Sequence, residues 1–170
     1  MSNNTAFLVG FMGSGKSSIL DILKLNTEIN TIDLDDIVLE ESEDHIESIE
    51  QLFNKYGEEY FRNCEVRAFQ KVYKNSNTVL SLGGGSMTSQ PIKSAVLESD
   101  YSFYLKNEFK SLWENIKDSN RPLVSTGKHN VKKLYYERLD TYKQCNNTID
   151  MSKRSFQEAS EIIINRIGWI

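Results

Sequence analysis

Short apolar runs alternate with amphipathic segments along almost the whole chain. Short apolar runs that stop at glycine or acidic residues are typical of buried parallel strands, and apolar residues three or four positions apart are typical of helices. Together these patterns predict one domain over residues 1–170, a three-layer α/β/α fold around a five-stranded parallel sheet. The predicted strands are 6–9, 31–34, 78–82, 101–105 and 148–150, and the main helices are 16–25, 46–56, 58–75, 109–117, 131–143 and 155–167, with a short helix opening at Pro91.

The glycines are concentrated at the ends of two predicted strands. Six of the nine glycines lie in two short segments, at positions 10, 13 and 15 and at positions 83 to 85. Open parallel sheets bind ligands at the carboxyl ends of their strands. The clustering therefore predicts two places where the backbone approaches a ligand closely.

The first of these segments has the pattern of a phosphate-binding loop. Residues 10–17 read Gly-Phe-Met-Gly-Ser-Gly-Lys-Ser and match G-x-x-x-x-G-K-[ST] in full, with a strand before them and a helix after. Lys16 is expected to reach the β- and γ-phosphates of a nucleotide, and the Ser17 hydroxyl to bind Mg²⁺. The alternative is a tight turn with an incidental lysine. The expected nucleotide contacts are Gly13, Ser14, Gly15, Lys16, Ser17 and Ser18.

Composition and charge narrow the classes of function. The chain is 39% hydrophobic and 26% charged, which argues against disorder, and its net charge of −4 gives no reason to expect a nucleic-acid partner. No apolar run is long enough to span a membrane, and no export signal precedes the first strand. These observations predict a cytoplasmic protein in which Cys64 and Cys145 are reduced.

Two carboxylates follow the second predicted strand. In a strand, Asp33 and Asp35 would point to the same side, which suits a metal ion and substrate hydroxyls. The alternative is that Asp35 or Asp36 caps a helix starting near Ile37, and for Asp36 this interpretation is preferred. The third strand ends at Gly83 without any carboxylate. Asp33 is therefore the predicted second support for Mg²⁺.

The triple glycine and three arginines complete the candidate chemistry. The glycines could offer backbone N–H groups to a substrate, or could simply adopt positive φ values. Arg62, Arg121 and Arg138 fall near a helix start, in an aperiodic loop and on the following helix. Each could be a solvated surface charge, although an anionic substrate and a triphosphate together would need several fixed cations.

Taken in order, these motifs resemble the shikimate kinase family over essentially the whole chain. The matching segments are GFMGSGKSS, IDLDD, LFNKYGEEYFR, SLGGGS, NRPLV and YYERLDTY. The phosphate loop is generic, whereas the ordered set of D-x-D, G-E-x-x-F-R, G-G-G and R-P-L is much more specific. The resemblance implies ATP-dependent phosphorylation of the 3-hydroxyl of shikimate, a step toward chorismate and the aromatic amino acids.

The resemblance also implies roles for individual residues. Asp35 would hold the substrate hydroxyls and accept the proton, and Arg121 would reach the ATP phosphates from a lid at about 120–130. The substrate-binding region would span about 36–62. Further implied contacts are Arg62 and Arg138 on the substrate carboxylate, Gly84 through its backbone, Phe53 and Phe61 as aromatic walls, and Arg154 near adenine. Helix core packing is the alternative for Phe53.

Two segments depart from the family's pattern. Residues 41–46 lack the usual glycine, which would alter the outer substrate wall, and the 150–155 segment lacks a proline often found beside adenine. His45 and His129 have no partner that suggests a metal site and are predicted at the surface.

Two other functions stay open: a kinase of gluconate, a nucleoside monophosphate or another polyol, and a nucleotide-binding regulator without activity. The expected partners are ATP and shikimate, and the expected state is a monomer.

Overall fold

The computed structural model describes residues 4–42 and 46–169. It contains five parallel strands in the order β2-β3-β1-β4-β5, which confirms the predicted sheet. The strands are β1 Thr5–Val9, β2 Asn30–Asp33, β3 Thr78–Ser81, β4 Ser102–Lys106 and β5 Asn147–Asp150. The helices are α1 Lys16–Asn26, α2 Leu34–Glu40, α3 Ile49–Val72, α4 Gln90–Glu98, α5 Phe109–Ile116, α6 Lys128–Tyr142 and α7 Phe156–Ile167.

Helices cover both faces of the sheet, as the alternating pattern predicts. Along β1, Ala6 and Leu8 belong to the core that includes residues of α1 and α7, while Phe7 and Val9 belong to the core with residues of α3 and α6. Successive strand residues point to opposite faces, so the apolar residues 6–9 contribute to two cores. This arrangement fixes the central strand and places the loop that follows it between two helical layers.

The break in the longest helix falls where the two predicted helices meet. Gly57 has φ 80° and ψ 179° inside α3, so the helical geometry is interrupted at this residue. The first half begins at Ile49, because the Ser48 hydroxyl caps it by accepting from the Gln51 N–H at 3.2 Å. The predicted start at residue 46 was therefore too early.

The D-x-D segment differs from its predicted conformation. Asp33 is the N-cap of α2, and its Oδ1 accepts from the Asp35 N–H at 3.1 Å. Asp35 thus lies in the first turn of a helix rather than on a strand, and neither Asp35 nor Asp36 is the cap. The helix begins three residues before the expected Ile37, because a capping aspartate satisfies its first free N–H groups.

The segment between α5 and α6 is shorter than predicted. A 3-10 turn at Val124–Thr126 leads into α6, which begins at Lys128. The aperiodic loop expected over residues 120–130 therefore ends near residue 127.

Several smaller predictions can be compared with the described residues. His129 is exposed, as expected. Cys64 and Cys145 are both free thiols, which agrees with their predicted reduced state, and both are buried. His45 and part of the altered 41–46 segment lie outside the described residues. No helix in the described ranges has the length and apolar character required to cross a bilayer.

Candidate active site

The phosphate loop joins β1 to α1 and adopts the geometry that its glycines permit. Gly13 and Gly15 have φ values of 79° and 97°, a region that residues with side chains rarely occupy. A Cβ on Gly15 would lie 2.4 Å from the Phe156 ring, and one on Gly13 would lie 2.7 Å from Ile116. A residue with a side chain would therefore be strained at either position and would also clash with its neighbours. The two glycines allow the loop to lead directly into the N-terminus of α1.

Lys16 is held by oxygens of the loop itself. Its Nζ donates to the carbonyls of Gly10 at 2.8 Å and Phe11 at 3.1 Å, and to Ser14 Oγ at 3.3 Å. Burial lowers the pKa of this amine from 10.5 to about 8, and the carboxylates of Asp33 and Asp35 oppose the shift. Because the buried ammonium group has lost part of its hydration, it can interact favourably with an anionic ligand at the same loop.

Ser17 and Asp33 form an oxygen pair beside this lysine. Ser17 Oγ donates to Asp33 Oδ2 at 3.5 Å, and burial raises the pKa of the Asp33 carboxyl. A hydroxyl, a carboxylate and nearby phosphate oxygens are the hard ligands that Mg²⁺ prefers. The residues that were predicted to support the metal are thus adjacent and chemically suited to it.

Two adjoining cavities open at the carboxyl ends of the strands. One, of about 340 Å³, is lined by residues 12–18, which include most of the phosphate loop, together with Asp33, Asn115 and Phe156. The other, of about 330 Å³, lies between α3, α6 and the loop that precedes α6. We call them the nucleotide cavity and the substrate cavity. The residues common to both are Met12, Asp35, Gly83, Gly84 and Arg121.

Asp35 stands at the junction of the two cavities. Burial, reinforced by the carboxylates of Asp33 and Glu65, raises its pKa from 3.8 to about 6. Arg121 lines the same junction from the loop before α6. A carboxylate with a raised pKa and a cation therefore flank the point at which a group could pass from one cavity to the other.

Arg62 enters the substrate cavity as part of a buried charge network. Its Nη1 donates to Glu65 Oε2 at 2.7 Å, and its Nη2 donates to the exposed Glu58 at 3.4 Å. The Glu65 side chain is fully buried and accepts a further bond from Ser86 Oγ at 2.5 Å. Glu65 therefore fixes the guanidinium of Arg62 and links it to the segment after the triple glycine.

Arg138 is the second cation of this cavity. It is 9% exposed, and within the described ranges its Nε has no hydrogen-bond partner. Its guanidinium lies 6.0 Å from the Phe11 ring centroid. A buried cation with a free donor needs an anionic partner, and planar guanidinium groups suit a carboxylate.

Phe53 and Phe61, which the resemblance implied as aromatic walls, lie side by side in this cavity. The rings of Phe53 and Phe61 are 4.9 Å apart and tilted by 42°, and Arg62 lies 5.0 Å from the Phe61 centroid. Both phenylalanines line the cavity, although Phe61 is buried and also belongs to the core. The cavity therefore combines an apolar wall, two arginines and a carboxylate.

One predicted site residue lies outside both cavities, and several residues that were not predicted line them. Arg154 lines neither cavity, and its Nη1 donates to the Asp150 carbonyl at 3.3 Å. Glu65 was missed, although its position three residues after Arg62 on a helix is a signal for an ion pair. Phe156 and Asn115 were also missed, because their sequence contexts are those of ordinary helix residues. Phe156 is 43% exposed and offers a ring at the mouth of the nucleotide cavity.

A family model, several curated relatives and several solved structures of one family match this chain. The model of the family described as shikimate kinase matches residues 12–168. A shikimate kinase of Dictyoglomus turgidum is 32% identical over 165 residues, covering 94% of each chain. The solved shikimate kinase of Aquifex aeolicus has a TM-score of 0.77 and 28% identity, covering 96% of each chain. The shikimate kinase of Acinetobacter baumannii in complex with shikimate has a TM-score of 0.84 and 24% identity, covering 96% of this chain and 92% of that one.

Proposed function

This chain belongs to the shikimate kinase family, and we propose that it transfers the γ-phosphoryl group of ATP to the 3-hydroxyl of shikimate. The observation that supports this most strongly is the meeting of two different cavities at Asp35 and Arg121. One cavity has the elements that hold a triphosphate. The other has two arginines, a carboxylate and an aromatic wall, which together suit a small hydroxylated carboxylic acid.

Binding of the two substrates follows from these elements. The triphosphate of ATP lies on the loop N–H groups and the N-terminus of α1, and Lys16 turns from the loop carbonyls to the β- and γ-phosphates. Shikimate places its carboxylate between Arg62 and Arg138 and its ring against Phe53 and Phe61. Its hydroxyl then lies at the junction of the cavities, beside Asp35.

Phosphoryl transfer depends on positioning and on neutralisation of charge. Asp35 orients the attacking 3-hydroxyl and accepts its proton, and its raised pKa brings it closer to the range of a general base. Lys16 and Arg121 stabilise negative charge on the transferred group. Ser17 and Asp33 would hold Mg²⁺, which would supply further neutralisation of the negative charge on the phosphates.

We propose that the segment from about residue 120 to 127 is a lid over this junction. Asn120, Arg121, Pro122 and Leu123 line the substrate cavity. Closure of this lid would bring Arg121 to the phosphates and exclude water, which limits wasteful hydrolysis of ATP. The cytoplasmic location, the monomeric state and the single domain over residues 1–170 remain predictions from sequence.

A coupled assay of ADP formation tests the proposed activity. ATP, Mg²⁺ and shikimate together should give rapid ADP release, whereas gluconate or a nucleoside monophosphate in place of shikimate should give only the background rate. Mass spectrometry should identify a shikimate monophosphate as the product. ADP release with gluconate alone, or nucleotide binding without any transfer, would contradict the proposal.

Replacement of Arg62 by alanine should mainly weaken shikimate binding. Loss of one guanidinium from a buried carboxylate site is expected to raise the KM for shikimate by about 100-fold, with little change in the KM for ATP. Arg67→Ala, an exposed change on the same helix, is the matched control. Steady-state kinetics with each substrate varied measures both constants.

A companion variant separates binding from folding. Arg62→Ala leaves the buried Glu65 carboxylate without its cation, which destabilises the fold. Arg62→Ala combined with Glu65→Gln should recover thermal stability but not shikimate affinity. Normal shikimate affinity in Arg62→Ala would refute the carboxylate-binding role.

A further inference from the structure

Tyr142 lies directly beneath the triple glycine, on the same helix as Arg138. It is 2% exposed, and it follows Arg138 by four residues, so the two side chains lie on one face of α6. Tyr142 is not among the residues that line the substrate cavity. Its ring packs on Tyr104, with centroids 5.4 Å apart. The inference drawn from it rests on the proposed function.

The Tyr142 hydroxyl donates a hydrogen bond to the Gly84 carbonyl oxygen. Burial raises the pKa of this phenol to about 12, so it remains a protonated donor at neutral pH. The bond joins two segments 58 residues apart in the chain. It therefore links the middle of the glycine segment to the helix that carries Arg138.

The carbonyls on either side of Gly84 are bonded locally. The Gly83 carbonyl accepts from the Ser86 N–H at 3.1 Å. The Gly85 carbonyl accepts from the N–H of Thr88 at 3.0 Å and from its hydroxyl at 2.7 Å. Those bonds shape the turn but do not orient it relative to α6. The Tyr142 bond supplies that tertiary orientation.

The same bond determines where the next backbone donor points. The peptide between Gly84 and Gly85 is trans, so the Gly84 C=O and the Gly85 N–H point in opposite directions. Because Tyr142 holds the carbonyl, the N–H is directed away from Tyr142. Gly85 lines the substrate cavity and packs against both arginines: a Cβ there would lie 2.2 Å from Arg62 Nη2 and 2.8 Å from Arg138 Nη2.

We propose that Tyr142 is a positioning residue for the substrate: its hydroxyl holds the Gly84–Gly85 peptide so that the glycine backbone and Arg138 present their donors to the same anionic group. Glycine has no side chain with which to anchor itself, and its backbone is unusually free. An external hydrogen bond to the middle carbonyl is a direct way to hold such a segment in one orientation. Tyr142 itself does not touch the substrate.

Tyr142→Phe tests this role while keeping the ring that packs on Tyr104. We expect the KM for shikimate to rise by about 10-fold, because the glycine carbonyl loses its partner and the peptide can rotate. The KM for ATP should not change, and kcat should change by less than about 2-fold. Steady-state kinetics with each substrate varied in turn gives this division between constants.

Tyr135→Phe is a matched control on the same helix. The Tyr135 hydroxyl is also directed to a backbone carbonyl, that of Asn107 at 2.9 Å, but it does not contact the glycine segment. Each variant removes a buried phenol hydroxyl that donates to a backbone carbonyl, so the melting temperatures should fall by similar amounts. Only Tyr142→Phe should change the KM for shikimate.

Glycine-labelled protein provides a readout of the peptide itself. The chain contains nine glycines, so ¹⁵N-glycine labelling yields a sparse amide spectrum. The amide signal of Gly85 should shift in Tyr142→Phe and stay in place in Tyr135→Phe. An unmoved Gly85 signal would contradict the proposed orientation of the peptide.

The kinetic outcomes separate the positioning role from the proposed function. Absence of shikimate turnover by the unmodified protein would refute the proposed function and this inference with it. Normal turnover by that protein, together with an unchanged shikimate KM in Tyr142→Phe, would overturn the inference alone. If the KM for shikimate and the KM for ATP rose by similar factors in Tyr142→Phe and in Tyr135→Phe, the inference would also be overturned. Such a result would indicate only a loss of packing.

Discussion

Replacement of Lys16 by alanine is expected to lower kcat by on the order of 10³-fold with ATP and shikimate as substrates. Lys16 is the cation of the phosphate loop and lines the nucleotide cavity, where under the proposed function charge would develop on the transferred group. Water that fills the space left by the Lys16 side chain cannot supply its positive charge. The loss should therefore appear in the chemical step as well as in ATP binding.

The measurement compares turnover, nucleotide affinity and stability. Single-turnover phosphoryl transfer reports the chemical step, and calorimetric titration with ATP reports binding. Lys24→Ala is the matched control, because Lys24 is an exposed lysine in the last turn of the same helix. Lys16 also bonds to the carbonyls of Gly10 and Phe11, so the melting temperature must be followed. A folded Lys16→Ala protein with turnover within 10-fold of the unmodified protein would contradict the role given to Lys16.

Replacement of Asp35 by asparagine is expected to lower kcat by about 10³-fold while leaving ATP binding nearly intact. Asparagine retains the size of the side chain but cannot accept the proton of the attacking hydroxyl. Asp35 lines both cavities, so the loss should be confined to the transfer between them. Rapid-quench measurement of phosphorylated product under single-turnover conditions gives the rate directly.

The pH dependence of the reaction provides a second test of Asp35. Burial raises its pKa to about 6, and the proposed role requires the deprotonated carboxylate. The value of kcat/KM for shikimate should therefore fall as the pH drops below about 6, where the carboxyl becomes protonated. The residual activity of Asp35→Asn should lack this acidic limb.

Asp36 provides the control for this replacement. Asp36→Asn changes the neighbouring exposed carboxylate on the same first turn of α2 and should leave kcat within about 2-fold. Both changes alter the charge of the helix N-terminus equally. If Asp36→Asn slowed transfer as much as Asp35→Asn, the effect would reflect helix stability rather than proton transfer.

The elements of the fold could be predicted because their signals are local. The apolar run that ends at Gly10 and the glycine at position 57 each determine structure through nearby residues. Boundaries were less accurate where a cap intervened. Asp33 caps α2 and draws Asp35 into its first turn, so the strand-based reason for grouping Asp33 with Asp35 was wrong, even though both line the nucleotide cavity.

The candidate site was predictable where a motif determines it. The phosphate loop and Arg62 lie where the motifs place them, in the two cavities. Arg154 lies outside both cavities, because a loose local match does not specify the direction of an exposed side chain. The roles of these residues in catalysis remain predictions. The Lys16→Ala and Asp35→Asn substitutions test them most directly.

Periodicity, backbone preferences and motif spacing act between residues close in the chain, so they were sufficient to predict the parallel α/β fold, the phosphate loop and the resemblance to one family. The position of Asp35 at the junction of two cavities, the ion pair of Glu65 with Arg62 and the bond from Tyr142 to Gly84 became visible only in the folded protein. These contacts depend on sheet order and on the packing of helices. A short sequence pattern cannot predict the hydrogen bond from Tyr142 to the Gly84 carbonyl, because the two residues are 58 positions apart in the chain.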